Sequence, residues 1–204
     1  MAISFPISLP VTPNFVQFDL SLTHQTGRSV SPFTAFTNIH EFSGAFWAFR
    51  ASLPKMLVGD ASEWFGALAS LRGGVGTFLL GDPDHLTPRG TGVGTPLVQG
   101  GSQTGIELIT DGWGSTQTVL KRGDLFQLGS GGSTHLYMVT ADAVTDGGGV
   151  VTLDIIPRLR VSPANNDPLT ISSPQGLWRA QSNTAARASS LAKFEVRLTA
   201  TEAF

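Results

Sequence analysis

Arg122-Gly123-Asp124 has the order of an integrin ligand, and Gly129–Ser133, "GSGGS", has the look of a glycine-rich phosphate cradle or a flexible linker. Both lie within "KRGDLFQLGSGGSTHLYMV". A phosphate loop needs a Gly-Lys-Ser/Thr and a helix opening behind it, and neither follows here. The residues on each side alternate instead, so both patterns read as turns between strands. Gly supplies the backbone angles there, and Asp the local hydrogen bonds. Gly90-Thr-Gly92-Val-Gly94 lacks the strand-turn-helix setting of a dinucleotide site. Asp82, Asp84 and His85 in "DPDH" are the nearest thing to a cation cluster, but an oxygen site needs more ligands, and a punctuated loop explains them. His24, His40, His85 and His135 have no metal-ligand spacing to one another.

General acid–base work needs a buried carboxylate pair, and none stands out. Glu63 reads as a helix cap, and Asp19, Glu107 and Glu195 as outward strand residues. No Gly-x-Ser-x-Gly elbow is present. These residue types give no catalytic set, no metal site and no cofactor site. The chain is read as not an enzyme. Trp113, in the Gly-flanked "TDGWGS", is the one aromatic placed to be exposed, where it could stack on a sugar or anchor an interface.

The elements that would hold such residues are mostly strands. Charged residues make up only 14% of the chain, against about a quarter in an ordinary domain. So little charge leaves few solvated faces to spare, which suits a surface covered by partners. With 24 Gly and 12 Pro the chain turns often. Net charge is −2, so no basic face suggests nucleic acid. Cysteine is absent, which excludes disulfides and thiolate metal sites. The N-terminus has no basic region and is broken by Pro6 and Pro10, unlike a secretory signal. No stretch nears the roughly 20 apolar residues of a membrane span.

"VQFDLSLT" (16–23) alternates with Val16, Phe18, Leu20 and Leu22 on one face, and Gln25–Gly27 is the expected turn after it. "RSVSPFTAFTNIHEF" has no sustained period and is broken by Pro32, so a long loop or edge hairpin is expected. "FWAFRASL" alternates with Trp47, Phe49, Ala51 and Leu53 inward. Trp64, Phe65, Leu68 and Leu71 then recur at helical spacing. A helix over 60–72 follows, with Asp60 as cap, Glu63 completing a capping box and Gly73-Gly74 as the stop. "VGTFLL" (75–80) is a buried strand, and 81–98 a loop. Beyond it come "GIELIT", "THLYMVTADAV", "GVVTLDIIPRLR", "PLTISS", "GLWRAQS" and "AKFEVRLTATEAF". In the last, Phe194, Val196, Leu198 and Ala200 face in. The fold class expected is mainly β with one α-helix.

The order of these features, a tryptophan-bearing strand, a helix ending in "LRGGVGTFLLGDP", a "PRG" loop and "LKRGDLFQLG" followed by "HLYMVTADAVTDGGGVVTLDIIPRLR", resembles the distal tail proteins of long-tailed, siphovirus-type bacteriophages. It covers roughly Trp47 to Arg160, and weakly the C-terminal strands, and minor tail proteins near the tip share similar text. The resemblance implies a tail-tube-like β-sandwich or split barrel carrying the helix, formed by 1–81 with 164–204. Inserted in it would be a small β-barrel or meander, galectin-like or oligonucleotide-fold-like, over 82–163. A simple two-domain order split near Gly81 is the alternative. It further implies a self-associating ring, a homohexamer, at the tail tip. Its partners would be the tail tube protein and the tip, hub or baseplate proteins, with no sequence-specific nucleic acid and no membrane insertion. The protein would be a virion component assembled in the bacterial cytoplasm. Phe33, Phe36 and Trp113 are the residues expected at subunit interfaces. A carbohydrate-binding β module using Trp113 is the competing function, and a cell-wall hydrolase a third without a carboxylate or metal set to support it.

Overall fold

The computed structural model describes residues 3–182, 188–190 and 193–204. The chain begins with β1 (Ile7–Ser8), β2 (Gln17–Val30), β3 (Thr37–Ser52), the helix α1 (Val58–Ser70) and β4 (Thr77–Gly81). Then come β5 (Gly94–Val98), β6 (Glu107–Trp113), β7 (Thr118–Leu120), β8 (Leu125–Leu128), β9 (His135–Val139), β10 (Ala143–Val144), β11 (Val151–Ile156) and β12 (Leu169–Thr170). It closes with β13 (Gln175–Ala180), β14 (Ala188–Ser190), β15 (Lys193–Glu195) and β16 (Arg197–Glu202). The fold is mainly β with one α-helix. No helix among the described residues is long and apolar enough to cross a membrane.

One six-stranded sheet runs β1-β4-β13-β16-β3-β2. Its strands come from both ends of the chain: β16 pairs with β3, setting Ala200 opposite Phe49, and β13 pairs with β4, setting Trp178 opposite Phe78. Trp47, Phe49 and Ala51 alternate inward along β3, as a half-buried strand requires. The helix lays Ala61, Trp64, Leu68 and Leu71 on the same core. Phe49 is its centre, stacked on Phe18 at 5.0 Å and edge-on to Trp178 at 4.7 Å.

The second sheet runs β12-β8-β9-β11-β6-β5. A bridge between Leu97 and Pro168 brings its two edges together, and the Val98 N–H donates to Asp167 O at 2.9 Å, so the sheet nearly closes into a barrel. Its interior holds Val98, Leu108, Leu153 and the stacked rings of Phe126 and Tyr137. The chain leaves this sheet only after Thr170, so β12 extends it beyond the boundary expected at residue 163.

Three local expectations are corrected. The helix starts at Val58, two residues early, because Met56 is pinned by reciprocal 3.0 Å backbone bonds to Phe194 and the chain turns straight into α1. Asp60 is thus inside the first turn, where its charge meets the positive end of the helix dipole, and no side chain caps the N-terminus. Gln25–Gly27 do not turn: the β2–β3 ladder continues past them to Val30 opposite Thr37. Pro32 sits in the true turn, where Ser31 N–H donates to Phe36 O at 2.9 Å and no ladder bond is asked of a proline. The loop expected over 81–98 ends in a strand, β5.

Candidate assembly surface

The outer half of the β2–β3 hairpin is an arm. Six ladder pairs, from Gln25 opposite Phe42 to Val30 opposite Thr37, continue past a register shift after Thr23. At about 3.4 Å per residue the arm extends roughly 17 Å before its turn begins. Residues 38–44 of β3 are all exposed, so neither face of the ribbon is covered. The apolar residues sit outward regardless: Phe33 is 95% exposed and Phe36 73%, with Val30, Ile39 and Phe42 beside them. No ionisable side chain occurs from Ser29 to Ile39. A two-stranded ribbon with no packed face is marginal in water. Burying Phe33 or Phe36 would return about 1.5–3 kcal/mol each.

At the other edge of the same sheet lies a cleft of about 430 Å³. Strands β1 and β4, the Leu9–Phe15 segment, Trp64 and Leu86 line it. None of its lining side chains is ionisable. Val11, on its rim, is 84% exposed.

Trp113 is not on a surface. It ends β6 and is 6% exposed in the barrel interior, and its indole N–H donates to Thr110 Oγ1 at 2.9 Å. Gly112, at φ +75°, produces this. The positive φ breaks the alternation that buries Leu108 and Thr110 and turns Trp113 inward. A Cβ at Gly112 would collide with the Thr95 carbonyl. Neither an interface nor a sugar-stacking role has an exposed ring to use.

The integrin-like triplet is a structural turn. Gly123 adopts φ +89°, and Asp124 is 1% exposed. Asp124 Oδ2 accepts the N–H groups of Lys121 at 2.8 Å, Arg89 at 3.0 Å and Gly90 at 3.2 Å, while Oδ1 accepts Arg89 Nε at 2.9 Å. Burial alone would raise the carboxyl pKa, but these donors hold it below the usual 3.8. Its contribution to stability is therefore complete above about pH 4 and is lost as the pH falls from there through the lower folded value. Asp124→Ala should cost about 2–3 kcal/mol by urea unfolding at pH 7, since it removes the acceptor of several part-buried N–H groups, and the cost should shrink as the pH falls below about 4.

Gly129 has φ +77° and leads into a 3₁₀ turn over Gly131–Ser133 between the paired β8 and β9. In "DPDH", Asp82 uses Oδ1 on the Asp84 N–H at 2.9 Å and Oδ2 on the His85 ring at 2.8 Å. Among the described residues no group of three or more His, Cys, Asp or Glu is gathered for a metal.

A buried pair missed in the sequence joins the two sheets. Arg160 donates through Nε to Glu202 Oε1 at 3.2 Å and through Nη2 to Oε2 at 2.7 Å, and also bonds the Ala45 carbonyl. Glu202 Oε2 accepts the Trp47 N–H as well, at 3.1 Å. The Phe204 ring lies 4.5 Å under the guanidinium. His135 is beside this pair, with Nδ1 buried and unpartnered. Burial pushes its pKa below 6.5, Glu202 opposes this and Arg160 reinforces it. The neutral ring is the folded form, so its stabilising contribution is full above pH 6.5 and declines as the pH falls below it. His135→Phe should flatten the pH dependence of stability between pH 7 and 5, read as urea midpoints. No family model matches the chain, and no curated protein is significantly similar to it.

Proposed function

We propose that the chain is a structural subunit of a long-tailed phage tail, forming a ring that connects the tail tube to the tip complex. The observation that carries this reading is the uncovered arm, with Phe33 and Phe36 at its end. A ribbon of that length, with an uncharged apolar tip and both faces exposed, gains stability from a neighbouring molecule. The low charge of the chain agrees, because a ring subunit hides much of its surface. The resemblance supplies the hexameric symmetry, the tube and tip partners, and the place in the virion. On this reading the protein works by geometry and contact and carries no chemistry of its own.

The test is the mass of the purified protein in solution, with negative-stain imaging of the same sample. Closed rings with an axial hole support the proposal. A particle that stays monomeric at millimolar concentration, and also fails to close when the tube protein is added, removes it.

A further inference from the structure

The arm and the uncharged cleft lie at opposite ends of one sheet order, β2 at one edge and β1 at the other. We propose that Phe33 and Phe36 of one copy seat in the cleft of the next copy, between Val11 and Leu86. This rests on the ring-subunit reading and names the surfaces by which the ring would close.

Charge and size both point to a second copy. The arm tip from Ser29 to Ile39 and the cleft lining contain no ionisable group, so neither surface must strip water from a charge when they meet. A volume of about 430 Å³ falls in the range that holds compact apolar groups. Each Phe can cover about 150–250 Å². With Val30, Ile39 and the ladder backbone, the tip reaches on the order of the 800 Å² per partner of a standard interface. Among the described residues neither patch is covered: Phe33 is 95% exposed and Val11 84% in the isolated subunit. Because donor and acceptor patches differ, the contact is heterologous. Each bound copy still offers a free arm or a free cleft, and growth stops only when a ring closes.

The chain contains no cysteine, so two introduced thiols report this contact alone. Phe33→Cys combined with Leu86→Cys should give a ladder of disulfide-linked multimers under mild oxidation, whereas each single variant stops at a dimer. Phe33→Asp and Leu86→Asp should each weaken self-association by about 30-fold or more. Phe33 is almost wholly exposed and Leu86 about half, so the thermal melt of Phe33→Asp should match the parent and that of Leu86→Asp should fall by only a few degrees. Mixed one to one, they should form a dimer that grows no further, since one variant keeps a working arm and the other a working cleft. Rings that still close with both Asp variants would overturn the arm–cleft contact and leave the ring reading intact. A disulfide ladder without closed rings would keep the contact and overturn the ring. Monomers with no cross-link at any concentration, with the tube protein added as well as without it, would overturn both.

Discussion

Arg160→Ala lowers the stability of the chain by about 3–5 kcal/mol, measured by urea unfolding at pH 7. The size follows from what is left behind. Glu202 is 2% exposed and would keep only the Trp47 N–H as a partner. A carboxylate stranded in that position has lost water without regaining a cation. The Ala45 carbonyl loses its donor too, and Phe204 loses the guanidinium it packs on. The double variant Arg160→Met with Glu202→Leu should recover most of the loss, because apolar replacement removes both burial penalties at once. Should the single change cost under 1 kcal/mol, the pair is not what fastens β16 to the loop after β11, and the apolar contacts of Leu125 and Leu136 with the first core hold the sheets together.

That pair was half legible. Leu198 and Ala200 have inward parity in "KFEVRLTATE", and the same count of two places Glu202 inward. A buried acid requires a cation, but nothing in the spacing picks out Arg160, 42 residues away. The inner half of β3 was fully legible, since one covered face writes a period of two into Trp47, Phe49 and Ala51. The outer half was not, for the converse reason. A ribbon with both faces open has no parity to write, so residues 28–42 read only as a long loop or edge hairpin, and of the two it is the hairpin that forms, its ladder running on either side of the 31–36 turn. Trp113 was misplaced because Gly112 and Gly114 look like loop punctuation, while the backbone uses Gly112 to shift phase within a strand. The helix was visible in Trp64, Leu68 and Leu71, but its start was set by a long-range bridge to Phe194, which no local window contains. Of the proposed assembly surface, Phe33 and Phe36 were legible as a break in periodicity. The cleft was not, because it gathers residues from Ser8 to Gln175.

The second large effect is Phe49→Ala, and it also tests whether the two cores unfold together. Phe49 touches Phe18, Phe78 and Trp178, and its side chain is fully buried. Truncation should cost about 3–5 kcal/mol from lost transfer and the cavity left behind. The probes are conveniently divided. Trp47, Trp64 and Trp178 lie in the first core, whereas the barrel holds Trp113 and the only tyrosine, Tyr137. Tryptophan emission therefore reports mainly the first sheet, and near-ultraviolet dichroism of Tyr137 the barrel. Leu125 and Leu136 of the barrel belong to the first core, and Trp47 Nε1 donates to Leu136 O at 3.0 Å. With that much shared interior, both signals should shift together in Phe49→Ala and trace one urea transition. Two separated transitions, with Tyr137 unmoved, would show that the barrel folds by itself. The contacts across the sheets would then orient the barrel against the first sheet without stabilising it.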